Sequence, residues 1–208
     1  MTTSSAHISS SLSDEGASSQ LAGRLRLAGA TTAAATVMLA LGAVAISLYF
    51  GSGEVGNVFG PISDVLFAAF MLLLIPAVLA VRSLGADAGG AWLTPLSGVA
   101  IATMIVTAAG QLLLVVGVID LATSFVAFGI GLAGFMAWGV ALAVLALRHG
   151  VLPRPVGIWP LVAVVLCLVA PVAWFGLPTE AGYAAALLLG VAVFGWLIAL
   201  ARALHRIA

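Results

Sequence analysis

Residues 96–147 read LSGVAIATMIVTAAGQLLLVVGVIDLATSFVAFGIGLAGFMAWGVALAVLAL, and this stretch decides the fold. It is apolar from end to end except at Ile119–Ser124, where Asp120, Thr123 and Ser124 interrupt it. A hydrocarbon core about 30 Å thick is crossed by roughly 20 helical residues. A run of about fifty such residues therefore makes two crossings with a turn at Asp120.

Working outward in both directions, the same criterion predicts six spans. They are Ala28–Phe50, Asp64–Val81, Leu96–Ile119, Phe125–Leu147, Ile158–Phe175 and Ala181–Ala201. The runs show no two-residue alternation, so barrel strands are not expected. Helices are, because in lipid only helices and closed barrels satisfy the backbone polar groups. The expected fold is all-α: a polytopic membrane protein with six transmembrane helices in a compact bundle. Residues 24–208 form the transmembrane domain. Residues 1–23, rich in serine and poor in large apolar side chains, are expected to form a disordered cytoplasmic tail.

Composition agrees. Of 208 residues, 63% are hydrophobic and 7% charged, and mean hydropathy is +1.28. Soluble domains carry about 25% charged residues, so a water-facing surface is not available to this chain. The formal net charge is zero, which gives no argument for a nucleic-acid or acidic partner, and no nucleic acid is expected. The lone cysteine, Cys167, has no partner for an intramolecular disulfide.

Arginine placement predicts the threading. The chain has no lysine, and its seven cations are Arg24, Arg26, Arg82, Arg148, Arg154, Arg202 and Arg206. With six spans all of them fall on one side, which the positive-inside rule makes the cytoplasm, and both termini lie there. Asp64, Asp120 and Glu180 fall on the other side, each at the expected start of a helix. There a negative charge is favoured by the macrodipole and by capping. A ring of such acids is also able to concentrate cations at an outer mouth.

Three spans followed by three spans gives halves of opposite orientation, 28–119 and 125–201, the arithmetic of an inverted repeat. The second span of each half holds a proline, Pro76 or Pro171, and each is expected to kink its helix. Paired interruptions of this kind point to a site near the midplane, although proline is in any case common in membrane helices.

Candidate functional residues are few. Thr103, Thr107 and Gln111 recur every four positions and so share one face of the third span. An unpaired amide in hydrocarbon costs several kcal/mol, so Gln111 must face protein or water. The stripe therefore either lines a polar cavity or bonds a neighbouring helix. Gly129, Gly131 and Gly134 match the letters of a dinucleotide fingerprint, but the strand and the acid that motif needs are missing. Glycines in a membrane span let two helices approach closely, and the series Gly182, Ala186, Gly190 and Gly195, Ala199, Ala203 reads the same way. His149 and His205 are too far apart in sequence to indicate a metal. No catalytic residue, cofactor site or metal site is expected.

The chain resembles the small six-helix membrane proteins of unknown function found in high-GC bacteria of the actinobacterial type. The resemblance is carried by Phe59-Gly60-Pro61-Ile62-Ser63-Asp64 and by Leu152-Pro153-Arg154-Pro155 leading to Trp159. It implies a bacterial plasma-membrane protein and implies no activity. Substrate-binding components of vitamin importers are similar in helix number and length. The leading expectation is a non-enzymatic protein whose partners are the lipid bilayer and a membrane protein or a second copy of itself. The alternative is a carrier for a small solute, with Thr103, Thr107 and Gln111 lining its path. A membrane enzyme ranks third, because nothing in the sequence activates a nucleophile or a water.

Overall fold

The computed structural model describes the backbone of residues 5–51, 58–176 and 179–208. Side chains are described over 19–51, 58–88, 90–169, 184, 185 and 187–208. The described elements are all helices: α1 (Ser5–Gly51), α2 (Phe59–Leu84), α3 (Ala86–Val115), α4 (Leu121–Leu147), α5 (Arg154–Gly176) and α6 (Thr179–Ile207). Among the described residues five segments are long and apolar enough to cross a membrane. They are Ser19–Gly51, Phe59–Leu84, Gly90–Val115, Leu121–Leu147 and Leu187–Ile207. The described part of α5, Arg154–Val169, is apolar and shorter. The protein is an all-α, multi-pass membrane bundle.

Two helices begin earlier than their apolar runs. α2 starts at Phe59 rather than Asp64 and carries Pro61 in its first turn. The first N–H groups of a helix have no partner inside it, so a proline there sacrifices no hydrogen bond. α3 starts at Ala86, one residue after α2 ends, and is broken at Gly90 (φ 54, ψ −154). Glycine adopts that backbone without a Cβ clash, so a short helical turn before Gly90 joins the main helix across a kink instead of through a loop. α1 is helical from Ser5, within the serine-rich segment expected as a tail, and its side chains before Ser19 lie outside the described residues.

The turn at Asp120 is closed from both ends. After α3, Gly117 (φ 73) allows its own N–H to reach the Leu114 carbonyl at 3.0 Å and that of Val118 to reach Leu113 at 2.9 Å. That pair satisfies two carbonyls the helix end would otherwise leave bare. Before α4, the extended backbone of Asp120 lets its carboxylate accept from the Thr123 N–H at 2.8 Å.

Each helix packs against its sequence neighbours, and α1 packs against α6, so the six make a closed ring. Among the described residues no other helix pair approaches at the backbone. A ring of this kind leaves space on its axis, and large rings from alternate helices fill it. Phe70 of α2 meets Phe135 of α4 edge-to-face at 5.9 Å. Phe135 in turn stacks on Trp196 of α6 at 4.3 Å, and Trp138 of α4 lies 5.7 Å from Trp196. Leu74, Met104, Leu142 and Leu200 complete this buried core. Apolar lipid removes most of the hydrophobic drive between helices, so cohesion rests on dispersion contacts of close-packed atoms.

The outer wall is apolar, as lipid requires: Leu168 and Leu187 are each 72% exposed and Val191 59%. In water a surface of this kind would be an aggregation site.

The central rings predict a measurable asymmetry. Trp196→Ala opens a cavity against Phe135 and Trp138 and costs about 3–5 kcal/mol. Trp196→Phe keeps a stacked ring and removes an N–H that has no acceptor among the described residues, so it costs less than half as much. Unfolding in mixed micelles with increasing dodecyl sulfate, followed by circular dichroism, measures both. Equal losses would show that ring contact is not what joins the alternate helices.

Candidate functional site

The polar stripe of α3 faces α4. Gln111 is 6% exposed, and its Nε2 donates to the Ser124 Oγ at 3.1 Å. One turn away, the Thr107 hydroxyl lies 3.0 Å from two carbonyl oxygens, those of Thr103 in its own helix and Ala127 in α4. Thr103 bonds the Ala100 carbonyl at 2.9 Å within α3. A hydroxyl that can return its hydrogen bond to its own helix costs little to bury in lipid.

The glycines of α4 complete the seam. A Cβ added at Gly131 would collide with the Thr107 hydroxyl, and one at Gly134 with the Thr103 hydroxyl. In the other direction, a Cβ added at Gly110 of α3 would lie 2.6 Å from the Ala127 Cβ. In antiparallel register, then, threonines enter notches left by glycines, and Gln111 closes the seam at the Asp120 end. Gly129 has open space around it. The letters of the dinucleotide pattern thus mix packing positions with an unconstrained one.

Of the outer acids, Asp64 and Asp120 lie among the described side chains and belong to the starts of different helices. Asp64 is half-buried and stands beyond the first turn of α2, whose start has no side-chain cap. Ser63 spends its hydroxyl on the Gly60 carbonyl at 2.7 Å. Asp120 caps α4, and its hydrogen bonds to Thr123 hold its carboxyl below the usual carboxylate range. Pro171, Glu180, Trp174 and Tyr183 belong to helices whose side chains at these positions lie outside the described residues. Among the described residues no three His, Cys, Asp or Glu side chains are grouped to hold a metal ion.

Open space lies at the other end, among the arginines. A cavity of about 650 Å³ between α1, α2 and α3 has Arg24, Arg82, Ser83 and Thr94 as its polar lining and Pro76 and Leu93 among its apolar walls. Pro76 sits inside α2, lines this space and cannot donate to the carbonyl one turn back. A second cavity, of about 350 Å³, is a groove between α5 and α6. Gly195 and Ala199 are part of its floor, Trp159 and Ile198 stand beside them, and Arg202 and Arg206 lie towards its mouth. Neither cavity includes Thr103, Thr107 or Gln111. Both combine apolar walls with paired guanidinium groups, a chemistry that holds an anion attached to an apolar chain. Neither offers a nucleophile beside a base.

The arginine pairs were visible in the sequence only as topology signals, and their joining to cavities was not. Two buried indole N–H groups, those of Trp138 and Trp196, have no acceptor among the described residues. Each omission costs about 1–3 kcal/mol, which the stacking and the roughly 150–250 Å² buried by each ring offset.

Comparison with known protein families, with curated proteins and with solved structures finds no match to this chain.

Two predictions follow from this geometry. Gly131→Ala forces Thr107 away and destabilises the bundle by about 1–3 kcal/mol. Thr107→Ala in the same chain restores most of the loss, while Gly129→Ala is neutral. A double-mutant cycle in the dodecyl sulfate titration measures this, and additive losses would separate the two residues. For Asp120, the folded-state carboxyl titrates lower than the unfolded one. Its contribution to the helix start is therefore complete above the ordinary carboxylate range and is lost as pH falls through the folded value. Carbon-13 titration of the Asp120 carboxyl should show a midpoint below about 3.9, moved upward by Thr123→Val. A midpoint unmoved by that substitution would remove the Thr123 hydroxyl as a cause and leave its backbone N–H.

Proposed function

We propose that this chain is a six-crossing protein of a bacterial plasma membrane with both termini in the cytoplasm. It acts without catalysis, through contacts of its outer wall with lipid or with a membrane protein, a second copy of the chain included. One observation carries the reading. The stripe most able to grip a solute, Thr103, Thr107 and Gln111, is committed to hydrogen bonds within α3 and across to α4, and the two cavities lie at the arginine end. A bundle whose axis is filled by Phe70, Phe135, Trp138 and Trp196 has surface contact as its remaining means of acting.

The six crossings and the cytoplasmic termini draw support from the ring of contacts between sequence-adjacent helices, with which an up-and-down path and arginines at alternate connections agree. The alternative reading, a carrier for a small solute, draws its support from the cavity beside Pro76, whose size lies in the roughly 300–1,000 Å³ range of ligand pockets.

Cysteine labelling tests the proposal. In a Cys167→Ser background, single cysteines at positions 82, 148 and 206 should resist a membrane-impermeant maleimide in intact cells and react after lysis. Cysteines at 54 and 180 should react in intact cells. Labelling of positions 82 and 180 from the same compartment would overturn the threading and the reading built on it.

A further inference from the structure

We propose that the groove between α5 and α6 is a binding site for an anionic phospholipid of the arginine-side leaflet, with its phosphate on Arg202 and Arg206 and an acyl chain on Gly195 and Ala199. This deepens the reading above and rests on it.

The groove has the shape and charge for that occupant. Gly195, Ala199, Arg202 and Arg206 recur at three- and four-residue steps, so they lie along one face of α6. From Gly195 to Arg206 the helix rises about 16 Å, close to half of the roughly 30 Å hydrocarbon thickness, the depth of one leaflet. The small side chains at Gly195 and Ala199 leave a trench where Leu or Phe would fill it. Trp159 lies across Gly195, where an added Cβ would meet its ring at 2.8 Å, and so forms a wall of that trench. The trench measures about 350 Å³, within the size range of ligand pockets.

The mouth carries the opposite character. Arg202 and Arg206 are exposed and line the groove. Neither guanidinium has an ion-pair or hydrogen-bond partner among the described residues. The sole acid of α5 and α6, Glu180, stands at the other end of α6, and the nearby α4–α5 turn adds Arg148, His149 and Arg154. Long arginine stems carry their charge out to the headgroup level while the methylenes stay in the apolar layer. A guanidinium fork matches phosphate oxygens in two places at once. Basic pockets between membrane helices on the cytoplasmic side are where phosphate-bearing lipids bind. A zwitterionic lipid offers the same chains but its choline opposes the arginines. An apolar helix of a protein partner would fill the trench but leave both guanidiniums unmatched.

Trp159 reports on the groove. In phosphatidylcholine micelles, lipids brominated on the acyl chain quench the emission of an adjacent indole, and the difference between the chain and Trp159→Phe isolates that residue. Brominated phosphatidylglycerol should quench Trp159 at a mole fraction about thirty-fold lower than brominated phosphatidylcholine, the size expected of two arginines near a membrane surface at about 1 kcal/mol each. Arg202→Gln with Arg206→Gln should abolish the preference, whereas Arg26→Gln with Arg82→Gln, two charges outside the groove and its mouth, should keep it. Ala199→Phe retains both arginines, fills the trench and should also abolish it. Equal quenching by the two lipids, or a preference that survives both groove variants, would overturn the site while leaving the membrane reading intact. Absence of quenching by either lipid would overturn both.

Discussion

Six helices closed into a ring leave an axis that no backbone reaches, and the bundle holds together because four large side chains reach it instead. Phe70, Phe135, Trp138 and Trp196 come from alternate helices, which have no direct backbone approach to one another. Small residues could not span that gap. The rings supply dispersion contact in a medium where burial from water contributes little between helices. Gly139 shows what this demands of its neighbours: an added Cβ there would lie 2.9 Å from the Trp196 ring and 3.0 Å from the Pro160 Cβ. The wide indole fits because α4 has no side chain at that point.

Around this centre the seams between adjacent helices follow a second rule, that of notches. Gly131 and Gly134 receive Thr107 and Thr103, Gly29 lies against His205 and the Ala201 carbonyl, and Gly157 lies against the α4 backbone at Ala143. Close approach lets a hydroxyl or amide find its partner across the seam, as Thr107 and Gln111 do. Both side chains are thereby engaged at the α3–α4 seam.

Where a notch has no knob to fill it, the wall stays open, and this joins the fold to the proposed role. Gly195 is covered in part by Trp159, while the trench beyond it along Ala199 is unfilled. It ends among guanidiniums that the proposed threading would put at the membrane surface. The arginines that orient a membrane chain are thereby also placed where phosphate headgroups lie.

Much of this protein is legible in its residues one helix at a time. Length and hydropathy mark each membrane segment, because the cost of placing a side chain in hydrocarbon belongs to that side chain alone. The shared face of Thr103, Thr107 and Gln111 and the packing role of glycine follow equally from the period of a single helix. What requires two helices is decided by the tertiary structure. Only there does the stripe meet Gly131, Gly134 and Ser124, and only there do the arginine pairs acquire cavities beneath them. The starts of α2 and α3 also belong to it: Pro61 and Gly90 break an apolar pattern, yet each fits a helical chain where backbone partners are not needed or φ is free. Hydropathy is a property of one residue in a solvent, whereas a seam or a groove is a property of two surfaces, and their meeting is set by the register in which the ring closes.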